Sequence, residues 1–135
     1  MEKSNTMKEL FGEVIYAYTR KQAIADGVLV DVSKMAKEAG IRFPVVVTSA
    51  IWHEYVVPDK ELDNYGQSED GRLWDVLWMF RCSARKNASD IMFFDLYFLM
   101  NGNSEPEQKL VTLKALCGPG DNGEPVITIM KPDED

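Results

Sequence analysis

Residues 72–101 read RLWDVLWMFRCSARKNASDIMFFDLYFLMN, and the change of period inside them decides the fold. In RLWDVLWMFRCSARK (72–86), Leu73, Val76 or Leu77, Phe80 and Ala84 recur at helical spacing and form a core stripe. Trp74 and Trp78 make a second, adjacent stripe at i, i+4, which Arg81 and Arg85 continue. So broad an apolar arc is expected to touch more than one element. Asn87 to Ser89 breaks the helix. IMFFDLYFLMN (91–101) then reads as a long strand that is apolar on both faces. Met92, Phe94, Leu96, Phe98 and Met100 line one side; Ile91, Phe93, Asp95, Tyr97 and Leu99 line the other.

Toward the C-terminus, GNSEPEQ (102–108) is a turn and KLVTLKALC (109–117) is a strand. Its residues Val111, Leu113, Ala115 and Cys117 alternate onto one uniformly apolar side, expected to face the core. GPGDNGEP leads into PVITIM (125–130), the next strand. The last third therefore reads as an antiparallel three-strand meander with helix 72–86 over one face, because such apolar strands need cover. Lys131 to Asp135 is an acidic tail.

Toward the N-terminus, PDKELDNYGQSEDG (58–71) is the longest loop. Ile51, Trp52, Tyr55 and Val56 mark a helix starting at Thr48 or Ser49 and stopped by Pro58. FPVVVT (43–48) begins extended, since Pro44 biases Phe43 away from helix. Residues 19–40 read as helix, strand, helix. Thr19 and Gln22 form a capping box for RKQAIAD (20–26), and Gly27 stops it. VLVDV (28–32) is a strand. Ser33 caps KMAKEA, and Gly40 ends it. FGEVIYAYT (11–19) is a strand or an ordered arm, with 14–18 or 44–47 available to extend the sheet. Residues 1–9 are polar and expected to fray. The fold class is α+β: an antiparallel sheet with a C-terminal three-strand meander, covered by helices from the first two-thirds, in one domain over 1–135.

The chain has 22 acidic and 15 basic residues, a net charge of −7. That balance disfavours direct nucleic-acid or anionic-membrane binding, since both want a basic face. The opening stretch Met1–Lys8 is polar, and the longest apolar run is broken by Asp95 and too short for a bilayer. A cytoplasmic protein with reduced thiols is expected. Cys82 and Cys117 with the single His53 cannot build a zinc site of Cys and His alone. No cofactor and no metal is expected.

Four stretches, YTRKQAIADGVLVDVS (18–33), RFPVVVTSAIW (42–52), GRLWDVLWM (71–79) and VTLKALCGPGDNGEPVITIM (111–130), carry a resemblance. They resemble an uncharacterised domain-of-unknown-function family of small bacterial proteins often encoded on plasmids and other mobile elements. Residues 54–70 and 86–109 depart from that pattern. The resemblance implies a setting among accessory genes of mobile DNA, where counter-defence and regulation are common roles. It brings no catalytic residues.

Candidate residues carry a structural and a functional reading each. The loop GPGDNGEP lacks the spacing of a phosphate-binding loop or an EF-hand, and its composition suits a wide hairpin. Should it form a ligand or metal site, Asp121, Asn122 and Glu124 are the candidates, with Arg20 and Asp26 where the loop meets helix 20–26. Trp74 and Trp78 read as second-face packing with cation–π support, or as an anchor for a partner. Tyr16, Tyr18, Arg20, Lys21 and Arg42 are a cluster of cations near aromatics, read first as a solvated face. His53, in HE without a second His, reads as a surface residue. Asp95 marks a solvated face, an edge or a bulge, or else a buried functional carboxylate. Cys82 and Cys117 read as small buried hydrophobes. With no catalytic constellation, the leading expectation is a non-enzymatic interaction or regulatory protein with a protein partner, monomeric or homodimeric. The alternative is a small ligand- or metal-binding domain or enzyme with its site at loop 118–125.

Overall fold

The computed structural model describes residues 18–85 and 89–134. The strand or arm read at 11–19 lies, up to residue 17, outside the described residues, as do the polar 1–9 and the start of the helix break at 87–88.

The first elements follow their local signals. Helix α1 (Arg20–Ala25) carries the complete capping box: Thr19 Oγ1 accepts from Gln22 N, and Gln22 Oε1 accepts from Thr19 N. Gly27 at φ +80° turns the chain into strand β1 (Leu29–Asp31). Helix α2 (Ser33–Glu38) differs from expectation at its start. Val32, not Ser33, holds the capping position, and no side chain caps it. The Ser33 hydroxyl accepts from Val45 N and donates to Asp31 Oδ1, so it stitches the helix to strand β2 (Val45–Thr48) instead.

Thr48 caps a short helix α3 (Ser49–Ile51), which widens into a π-helical turn at Trp52–Val56. Val57 leaves it extended, as a residue before proline should. The expected loop 58–71 is partly ordered. Lys60–Tyr65 is a 3₁₀ turn pinned by buried Leu62, and helix α4 runs over Glu69–Ala84. It starts earlier than Arg72 because Ser68 Oγ accepts from Gly71 N; a glycine in the first turn hid that start.

Strands β3 (Ile91–Met100), β4 (Glu107–Pro119) and β5 (Pro125–Met130) form the expected antiparallel meander. The whole sheet is not antiparallel. Its order is β1-β2-β5-β4-β3, and β2 runs parallel to β5, with Val45 opposite Ile127 and Val47 opposite Ile129. The reason is visible in composition: VVV and VITIM are continuous rather than alternating apolar runs, which suit central strands buried on both faces. Val45, Val46, Val47, Val126, Ile127, Ile129 and Met130 are all buried.

Helix α4 lays Leu73, Val76, Leu77 and Phe80 on the even-numbered side of β3, where Met92, Phe94, Leu96 and Phe98 are buried. Phe80 meets Phe94 edge to face at 5.9 Å. Between these apolar groups sits Arg72, only 4% exposed. Its Nε donates to Tyr55 O (2.6 Å), its Nη1 to Gln67 Oε1 (2.8 Å) and Leu99 O (3.0 Å), and its guanidinium lies 4.9 Å from the Phe98 ring centre. Arg72 thus joins α4, the π-turn and the end of β3.

The expected acidic tail is folded down as far as Glu134. Its carboxylate accepts from Thr48 Oγ1 and Lys131 N, and Lys131 Nζ pairs with Glu54 at 2.8 Å. Replacing Arg72 with Met should lower stability in urea denaturation by about 3 kcal/mol, since Tyr55 O and Leu99 O would lose their donors in apolar surroundings. A loss under 1 kcal/mol would contradict this account.

Candidate functional site

The loop 118–125 is a closed hairpin. Gly118 and Pro119 pair with Val126 and Pro125, Gly120 N donates to Glu124 O, and Gly123 takes φ +82°. The fold brings it to the start of α1, as the sequence suggests. Asp121 Oδ1 accepts from Arg20 N (2.9 Å) and Oδ2 from Lys21 N (3.1 Å). These are backbone donors that a helix start leaves without internal partners, so Asp121 caps the helix from across the chain.

Arg20 turns onto the sheet, donating to Thr128 Oγ1 and Ile127 O. Burial lowers the Arg20 guanidinium from its ordinary value, and the Asp31, Asp121 and Glu124 carboxylates oppose that. Glu124 Oε1 accepts from Asn122 N. Asp26 faces elsewhere and accepts from the Tyr18 hydroxyl at 2.6 Å. That bond to Asp26, first among the causes, raises the Tyr18 phenol. Arg20, Asp121, Asn122 and Glu124 are therefore together, while Asp26 belongs to a separate pair. Among the described residues no group of His, Cys, Asp and Glu is placed to hold a metal ion.

The second region is β3, which forms one edge of the sheet. Its even residues are under α4, but the opposite side is bare: Ile91 is 52%, Phe93 57%, Tyr97 63% and neighbouring Leu110 57% exposed. The strand contains no Lys, Arg, Pro or Gly, the usual protections of an edge. Asp95 is its one charge, exposed on this bare side and accepting from the Thr112 hydroxyl across the ladder. At the far end Leu99 O is already taken by Arg72.

Trp74 and Trp78 do not pack into a second core. Both are exposed, stacked on each other at 5.9 Å, with the Arg81 guanidinium 5.3 Å from the Trp78 ring. A depression of about 400 Å³ separates this helix surface from the strand edge, lined by Asp75, Trp78, Met79, Asp95, Tyr97 and Leu110. Helix and edge thus share one surface, apolar and aromatic apart from the carboxylates of Asp75 and Asp95. His53 is exposed. The cysteines are less buried than expected: Cys82, on α4, is half-buried, and Cys117, near the end of β4, is exposed.

The sequence pointed to Trp74 and Trp78 but not to Phe93, Tyr97, Ile91 and Leu110 as a surface. The signal was there, in a strand apolar on both faces, but edge and centre look alike in sequence. Arg72 has a sequence signal too: it stands four residues before Val76 and eight before Phe80, in register with the core stripe.

These features define an α+β domain on an open mixed sheet, with β3 helix-covered on one side and bare on the other. The chain belongs to DUF6573, a family of unknown function, which it matches over residues 7–135. The match runs through 54–70 and 86–109, the segments outside the four quoted stretches. No curated protein and no solved structure matches the chain. Among the described residues no helix is long and apolar enough to cross a membrane. Asp121→Ala should cost about 1 kcal/mol in urea denaturation, the usual value of a lost helix cap; an unchanged midpoint would remove the capping role.

Proposed function

We propose that this protein is a non-enzymatic interaction or regulatory protein of a mobile genetic element, with counter-defence as one role it would serve. It would act by adding a strand: an extended segment of a protein partner lies along β3, taking main-chain hydrogen bonds from the edge. Alternate partner side chains would enter the depression beside Trp78 and Met79, or cover Phe93, Tyr97 and Leu110 on the bare side. The carrying observation is the unprotected β3 edge joined to exposed aromatics. Apolar and aromatic surface of this kind is where binding energy concentrates. The net charge of −7 suits a partner with basic groups around that strand, outside an apolar centre. The resemblance in the four quoted stretches supports the mobile-element setting.

The test compares the wild type with Phe93→Lys and Tyr97→Lys, which place a charge on exposed positions without touching the core. Circular dichroism and melting should be unchanged. A partner captured from extracts of the native host should be lost with both variants. Retention of the same partner by both would overturn the reading. Sedimentation of the wild type distinguishes a second copy as occupant, through a concentration-dependent dimer that the same variants abolish.

A further inference from the structure

A cleft of about 460 Å³ opens at the other end of α4, between its last turn, the start of β3 and the approach to β2. Its floor is apolar, made by Phe80, Met92, Ala115 and Ile127, all buried residues of the core. Its rim carries Arg42, Arg81 and Arg85. Among the described residues none of these guanidiniums has a carboxylate partner. That is unexpected in a chain with 22 acids to 15 bases, where an arginine has a surplus of carboxylates to meet.

Arg81 is also held in place. Its guanidinium lies 5.3 Å from the Trp78 ring centre and also close to Gly40. Gly40 has φ +89°, and a Cβ there would stand 2.8 Å from Arg81 Nε. The missing side chain makes room for the guanidinium close to the backbone at Gly40. A guanidinium fixed in this way loses little freedom when it takes a ligand, which favours binding.

We infer that this cleft binds a small organic anion: one phosphate or carboxylate group carried on a flat apolar body. The apolar floor takes the body, and the arginines take the anion by paired N–H bonds. Asp90 also lines the cleft. Its carboxylate repels polyanions and selects a ligand of low charge, with a hydroxyl or amino donor at that side.

The probes are 1-naphthyl phosphate, 1-naphthoate and the neutral 1-naphthol, titrated against the ¹⁵N-labelled protein. At least one anion should bind about tenfold more tightly than naphthol, the worth of a charged hydrogen bond. It should shift the amides of Gly40, Cys117 and Ile127. Tighter phosphate binding assigns the site to phosphate esters, and tighter naphthoate binding to aromatic acids. Arg81→Gln and Arg85→Gln should each weaken the anions about tenfold and leave naphthol unchanged. Arg42→Gln, on an exposed residue whose loss leaves the fold intact, should weaken them too. Equal affinity for all three probes, or variants that bind the anions like the wild type, would overturn the inference. Loss of binding in Phe93→Lys would equally overturn it, by moving the probe to the β3 surface.

Discussion

One buried guanidinium organises the end of the domain where helix, linker and sheet meet. Arg72 is surrounded by neutral acceptors: the Tyr55 and Leu99 carbonyls, the Gln67 amide oxygen and, at 3.5 Å, the Met100 sulfur. Burial lowers its tendency to hold the proton, and Asp59 and Asp75 oppose that from a distance. An unpaired charge at that depth would be costly, so each acceptor around it must stay in place. The π-turn supplies one of these acceptors. A widened last turn at Trp52–Val56 leaves the Tyr55 carbonyl turned to Arg72, while the Tyr55 ring stacks on Phe98 at 5.2 Å. The same Phe98 ring lies under the guanidinium.

Local signals were legible where the physics is local. The Thr19–Gln22 box, the positive-φ glycines Gly27 and Gly40, and the bounds of strand 125–130 all follow from neighbours in sequence. What depends on distant partners was not legible. Ser33 looks like a helix cap until Val45 N is found to claim its hydroxyl. Asp121 looks like a loop acid until the amides of Arg20 and Lys21 arrive, a hundred residues away in sequence. The parallel pairing of β2 with β5 has the same origin, because a strand carries its propensity but not the identity of its neighbour.

The candidate surfaces divide along the same line. Trp74 and Trp78 stand out by residue type, and the helical period pairs them; only the packing shows that they face solvent. Phe93 and Tyr97 become a surface because β3 lies last in the sheet order. The arginine cleft joins residues from the link between α2 and β2, the end of α4 and three strands, a set with no sequence signature. The loop 118–125 reads the other way: rich in residue types associated with sites, it folds into a hairpin whose Asp121 serves a helix.

The central position of β5 bears on how the domain comes into being. The strand synthesised after all the others is the one inserted between β2 and β4. Until residues 125–130 leave the ribosome, β1–β2 and β3–β4 are two separate hairpin-like pieces with no shared sheet. The β3–β4 piece then has two open flanks, the lasting one on β3 and one on β4 that β5 later closes. Pairings that close so much chain form slowly, and exposed strands invite wrong partners in the interval. The growing chain is therefore most at risk between the making of β4 and the making of β5, and on the β3 flank Asp95 is the strand's one charge against wrong pairing.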